Sequence, residues 1–242
     1  MPEKPYFADA HCHLDLFPDP TGTVRDSVAM GVRTIIATGG DKRGAIAIPR
    51  LADGVNVFGV IGIDPTFAAQ EGEFVEELAA LFTANKHLVG IGEIGLDMTK
   101  TGGSPMNIQR KVFERQLDLA LELDKPVVIH ARQALHDVMV MVTEKGIKRL
   151  MFHFFEGDET DAKAAEKYGY LVSISPGESS KKRRVIKALD LNSIVAETDS
   201  PVVGRTPADA IPVVETIAAI KGIDVAEAAD RTTSNVKKFF YI

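Results

Sequence analysis

Four histidines and two carboxylates stand where they could meet around a metal ion: His11, His13, Glu93, His130, His153 and Asp199. In Asp9-Ala10-His11-Cys12-His13 the two imidazoles lie two residues apart. Alternate side chains of a strand share a face, so His11 and His13 point together and Cys12 points away, to pack against helices. Two imidazoles converging from one strand end can hold one ion. Glu93 is the lone carboxylate of the glycine-spaced apolar run at 89–96. A charge among buried groups is costly unless paired or bound to metal, and flanking glycines let other groups come close. The segments 126–130 and 150–153 each run apolar into a histidine, His130 and His153. The segment 194–201 ends in Glu197 and Asp199, which share a face, and Pro201 stops it.

Each feature alone is matched by an ordinary packed or salt-bridged side chain. The elements around them give the coincidence its weight. Short β-branched or apolar runs fall at residues 7–13, 31–38, 55–61, 88–93, 127–130, 149–153, 170–173 and 193–197. Amphipathic helical patterns fall at 24–30, 45–51, 72–82, 108–123, 135–145, 161–168, 212–221 and 225–239. Repeated βα units predict parallel strands with helices outside. Eight of them in 242 residues favour a closed (β/α)₈ TIM barrel over an open doubly wound sheet. No Gly/Ser or Pro linker divides the chain, so one domain over 1–242 is expected. In such a barrel the C-terminal strand ends line one face, where active sites occur. Four of the six histidines, with Glu93 and Asp199, map to that face. His87 and His136 do not, and are read as surface or packing residues.

The donors mix nitrogen and oxygen, which suits Zn²⁺, Mn²⁺, Fe²⁺ or Mg²⁺ without choosing among them. Six ligands exceed the need of one ion, so one or two divalent ions (Mg, Mn or Zn) are expected, with Glu93 as the bridge. Two ions can acidify water and clamp an in-line displacement. Asp199 could bind metal, take the water's proton, or both. No nucleophile elbow or P-loop is present.

Composition frames this chemistry. The net charge of −6 is not built for non-specific attraction to nucleic acid, although a local basic rim or bound metal could supply it. The one cysteine excludes an intrachain disulfide framework and fits a reducing compartment. The first residues lack a signal-peptide pattern and no run of about 18 apolar residues occurs. The expected setting is therefore cytoplasmic, with no membrane span and no obligate protein partner.

Five ordered segments, DAHCHLD at 9–15, GEIGLD at 92–97, KPVVIHAR at 125–132, HFFEG at 153–157 and ETDSP at 197–201, make the chain resemble the TatD family of metal-dependent deoxyribonucleases, among the amidohydrolase-like barrels. The stretch QRKVFERQLDLALEL also looks like the family's helix before the fifth strand. The resemblance implies a (β/α)₈ barrel and hydrolysis of DNA phosphodiester bonds by metal-activated water, often as a 3′→5′ exonuclease. It implies one metal at His11, His13 and Asp199, another at His130 and His153, and Glu93 between them. Glu93 and Asp199 are the expected catalytic residues and DNA the expected substrate.

Three departures concern the substrate rim. The family's G-x-H-P histidine is replaced by Asp64 in Gly62-Ile63-Asp64-Pro65, Phe154 stands where the family commonly has cysteine, and Gly204-Arg205-Thr206-Pro207 replaces an Asn-Glu-Pro motif. An ionised Asp64 would repel a phosphate. Arg132 and Arg205 are candidate phosphate contacts through their forked donors, or salt-bridge partners of neighbouring carboxylates. Lys181-Lys182-Arg183-Arg184 could track a nucleic-acid backbone, or simply form a solvated helix face. The alternative function is hydrolysis of a small amide, lactone or phosphoester on the same scaffold. A non-catalytic metal-binding scaffold is disfavoured because all six ligand positions hold competent residues.

Overall fold

The computed structural model describes residues 5–99 and 103–242; residues 1–4 of the polar N-terminal stretch lie outside them. Among the described residues, strands and helices alternate: β1 (Phe7–Cys12), α1 (Pro20–Met30), β2 (Val32–Gly39), α2 (Lys42–Leu51), β3 (Val57–Ile61), α3 (Ala68–Glu71), α4 (Val75–Ala84), β4 (Leu88–Asp97) and α5 (Met106–Glu122). There follow β5 (Val127–Arg132), α6 (Leu135–Glu144), β6 (Leu150–Phe152), α7 (Glu159–Lys167), β7 (Leu171–Ile174), α8 (Ser180–Ala188), β8 (Ile194–Ala196), α9 (Ala210–Lys221) and α10 (Val225–Phe240). The strands pair in chain order and in parallel. The seam closes where Cys12 bridges Ser200, with His13 N donating to Ser200 O at 2.8 Å and Asp199 N donating to His11 O at 2.9 Å. The architecture is a single-domain (β/α)₈ barrel, as the pattern predicts.

Alternation along the strands builds the barrel interior and the site together. Ile36, Val128, Met151 and Val195 belong to one buried cluster, completed by Val236, Phe239 and Phe240 of α10. Two residues further on, toward the C-terminal rim, the same faces present Thr38, His130, His153 and Glu197. The site therefore stands on a dry apolar floor. The larger cluster holds the helices against the barrel's outside, where Cys12 is buried with its thiol donating to Ile36 O.

The structure differs from the sequence pattern in three places. β4 does not end at Glu93 but runs to Asp97, and a register shift against β5 between Ile91 and Ile94 inserts one extra residue. Such a bulge re-aims a side chain, here that of Glu93. Gly95 makes the extension possible: its φ is 145°, and a Cβ there would lie 2.0 Å from His130 O. Second, β8 stops at Ala196, so Asp199 lies beyond it, in the left-handed region at φ 49°. Third, α8 lies between β7 and β8, where the apolar periodicity marks no helix. Its polar sequence buries only Val185 and Ile186, too narrow an apolar face for periodicity to register.

Candidate metal centre

The six residues expected at one rim come together there, with Glu93 at the middle. Its Oε2 lies 3.1 Å from His153 Nε2, 3.5 Å from His130 Nδ1 and 4.0 Å from His11 Nε2; its Oε1 lies 3.6 Å from His13 Nε2. Asp199 Oδ1 is 3.3 Å from His13 Nε2 and 3.7 Å from His11 Nε2. The rings of His11 and His153 stack at 3.8 Å. His11 is fully buried, while His13 and His130 are half-buried and open to the mouth.

Each imidazole turns one nitrogen to this centre and has the other held. His11 Nδ1 is 3.3 Å from the Thr38 hydroxyl and His13 Nδ1 is 3.2 Å from Thr38 O. His130 Nε2 is 3.1 Å from Asp97 Oδ2, and His153 Nδ1 is 3.4 Å from Glu197 Oε2. Partners of this kind orient metal-ligating histidines and choose their tautomer. Glu197 is itself anchored, its Oε1 accepting from Phe154 N at 2.7 Å. Asp9 fastens the seam: it accepts from Thr198 N at 2.9 Å and from the Thr198 hydroxyl at 2.6 Å, beside Asp199.

The sequence pattern marks no role for Asp9, Asp97 or Thr38, and for Glu197 only an inward direction. A signal was present for Asp97. Asp64-Pro65-Thr66 and Asp97-Met98-Thr99 repeat one Asp-x-Thr turn, in which one carboxylate oxygen accepts from the threonine amide and hydroxyl. That leaves the other oxygen free to face the site, and both face His130.

Electrostatics follow from this packing. Burial opposes ionisation of Glu93, but the charge of His153 and hydrogen bonds from His130 and His153 outweigh it and hold its carboxyl well below the usual range. Burial likewise opposes the charged form of His130, yet Asp97 and Glu93 raise it to about 10. Asp199 and Glu93 raise His13 to about 9 against burial. Burial, then repulsion from His153, pushes His11 well down. Burial and neighbouring Glu93 lift Asp64 to about 6.

The donor set fits divalent ions. Among the described residues, ligand atoms of His11, His13 and Glu93 lie within 4.8 Å of one another, as do those of Glu93, His130 and His153. Mixed nitrogen and oxygen donors of this kind take first-row divalent metals or Mg²⁺.

The candidate substrate residues separate. Arg132 is exposed and lines the cavity of about 450 Å³ above the centre, whereas Arg205 does not. Arg205 lies toward a different cavity and turns its side chain to Asp209, because the β8–α9 connection carries it away from the mouth. Asp64 is buried within the centre and not out on the rim, as Asp64 N donates to Gly40 O at 2.7 Å and draws the loop inward. The basic run lies on α8: Lys181 and Lys182 donate to carbonyls of Glu156, Ser175, Pro176 and Gly177, and Arg184 pairs with Glu159. His87 packs over Gly54 and His136 is exposed on α6.

A family model described as TatD related DNase matches residues 8–241. The chain belongs to this family. This TatD-family chain is 30% identical over 245 residues to a metal-dependent hydrolase of Methanocaldococcus jannaschii, covering 97% of this chain and 96% of that one. It is 30% identical over 256 residues to the deoxyribonuclease TATDN3 of Homo sapiens, covering 96% and 93% respectively. A crystal structure of a TatD homolog of Escherichia coli K12 superposes with a TM-score of 0.88 at 24% identity, over 98% of both chains, a likeness of fold.

Proposed function

We propose that this chain cleaves DNA phosphodiester bonds at a two-ion centre, with His11, His13 and Asp199 on one ion, His130 and His153 on the other, and Glu93 between them. The chain is a metal-dependent hydrolase of the TatD type; its DNA substrate and 3′→5′ polarity are our reading, supported by its relation to the human deoxyribonuclease. One observation carries the two-ion reading: the Glu93 carboxylate faces ring nitrogens of all four histidines.

Bound divalent ions would supply Lewis acidity and a more acidic attacking water. The other work falls to the side chains. Thr38, Asp97 and Glu197 keep the imidazoles aimed, so little reorganisation is needed during reaction. Asp199, left-handed at the seam and partly open to the cavity, is placed to accept the water's proton. Arg132 offers a fork to the non-bridging phosphate oxygens. The cytoplasm is the proposed compartment, where the single thiol of Cys12 stays reduced.

A second reading has its own observation. Leu16, Phe67, Val202 and Val203 line the cavity with Asp15, Asp41 and Glu156, and Arg132 is the one arginine or lysine among its described lining residues. Those walls suit a small, largely apolar ester or amide better than a long polyanion. Oligonucleotides labelled at the 5′ or 3′ end, assayed beside aryl-phosphate and lactone substrates, separate the two. A ladder shortening from the 3′ end supports the nuclease; turnover of small substrates alone overturns it.

A further inference from the structure

We propose that Asp64 is a ligand of the ion held by Glu93, His130 and His153, giving that half of the centre two carboxylates and two imidazoles. The inference rests on the two-ion reading above and adds a donor to it. Its first support is orientation. Asp64 follows β3, and its backbone is pinned to Gly40 O. Its Oδ1 is engaged by the Thr66 amide at 2.7 Å and by the Thr66 hydroxyl. The carboxylate plane is therefore set, and Oδ2 is left facing inward, 3.5 Å from His130 Nδ1.

The second support is which nitrogen it faces. His130 Nε2 is engaged by Asp97 at 3.1 Å, so Nδ1 is the nitrogen turned to the centre, toward Glu93 Oε2 at 3.5 Å. Asp97 thus holds His130 from behind, while Asp64 stands on the side where the ion would sit. Two donors each about 2.1 Å from one ion lie about 3.0–3.4 Å apart. Asp64 to His130 at 3.5 Å, Glu93 to His130 at 3.5 Å and Glu93 to His153 at 3.1 Å each fall within or just beyond that span.

The third support is cost. Asp64 is 6% exposed in a pocket that already holds Glu93. Carboxylates brought together out of water oppose each other's ionisation, and a divalent cation between them would remove that cost. A second carboxylate also has a chemical consequence: oxygen donors favour Mn²⁺ and Mg²⁺ over the softer ions that imidazole-rich sites take.

The test titrates metal-stripped protein with Mn²⁺, reading free Mn²⁺ by electron paramagnetic resonance and heat by calorimetry. Wild type, Asp64→Asn, Asp64→His and Glu93→Ala are compared, with the thermal midpoint of each as a folding control. Asparagine keeps the oxygen that accepts from Thr66 and puts an NH₂ in place of the inward-facing Oδ2, removing the charge and the proposed ligand atom. Wild type is expected to bind two equivalents. Asp64→Asn should weaken one of them by at least about tenfold and leave the other unchanged, while Asp64→His should recover that equivalent for Zn²⁺ more than for Mn²⁺. Wild-type binding of both equivalents by Asp64→Asn overturns the assignment and leaves Asp64 as a partner of His130 alone. If Glu93→Ala also binds both like wild type, the two-ion reading itself fails.

Discussion

At the residue scale the centre is four imidazoles whose rear nitrogens are each engaged. Glu197 behind His153 is fully buried and bonded to both His153 and Phe154 N. Glu197→Gln should lower metal affinity about 10–100-fold with little change in fold; equal affinity by calorimetry would show that the carboxylate only fills space. The raised imidazoles also set a pH dependence. His130 at about 10 and His13 at about 9 carry protons at neutral pH in the metal-free protein, and metal must displace them. Metal affinity therefore rises with pH from 7 toward 9, and binding at pH 7 releases protons. Calorimetry in buffers of different ionisation enthalpy should give a buffer-dependent heat; a buffer-independent heat contradicts the assignment. The stability these two groups give the metal-free protein has the opposite sign. It is complete below their ordinary value of 6.5 and lost as pH rises through about 9 and about 10.

At the scale of elements, the barrel delivers these side chains by strand alternation, and β4 needs a bulge to do so. Gly95→Ala places a methyl against His130 O at a φ that L-residues avoid. A loss of roughly 2–4 kcal/mol is expected from strain and overpacking, with His130 displaced, and a urea melt reads it. An unchanged midpoint would mean β4 can reroute. Far from the site, Phe240 of α10 closes the apolar interior near Gly90. Phe240→Ala should cost about 3–5 kcal/mol while leaving activity per folded molecule intact. These two elements show what was legible in the sequence. His130 and His153 are visible because an apolar run stops at a polar residue. Glu93 also stands out, but the strand's continuation to Asp97 does not, because a bulge needs the partner register. Asp97 and the inward direction of Asp64 are hidden for a related reason: their Asp-x-Thr turns are local, but the shared target His130 is set by the sheet. The helix α8 escapes notice because its buried face is two residues wide.

At the scale of the molecule, a chain of net charge −6 works on a proposed polyanion through a mouth that is mostly apolar and acidic. Among the described residues no helix is long and apolar enough to cross a membrane. In the basic run on α8, Lys182 turns to loop carbonyls and Arg184 pairs with Glu159, while Lys181 and Arg183 stay exposed as a short cationic face. If Arg132 supplies the main phosphate contact, log KM for single-stranded DNA should vary with log salt with a slope of only about 0.7, the value for one neutralised phosphate. A slope several times larger would point to a basic surface outside the mouth.

The most direct test of the account is reconstitution of metal-stripped protein on single-stranded DNA with Mg²⁺, Mn²⁺ or Zn²⁺ in turn, with Glu93→Ala alongside. Cleavage is expected only with added metal, reduced on the order of 10³-fold or more in Glu93→Ala without loss of fold. Wild-type cleavage by that variant, or none with any ion from a protein that still binds two equivalents, would contradict it.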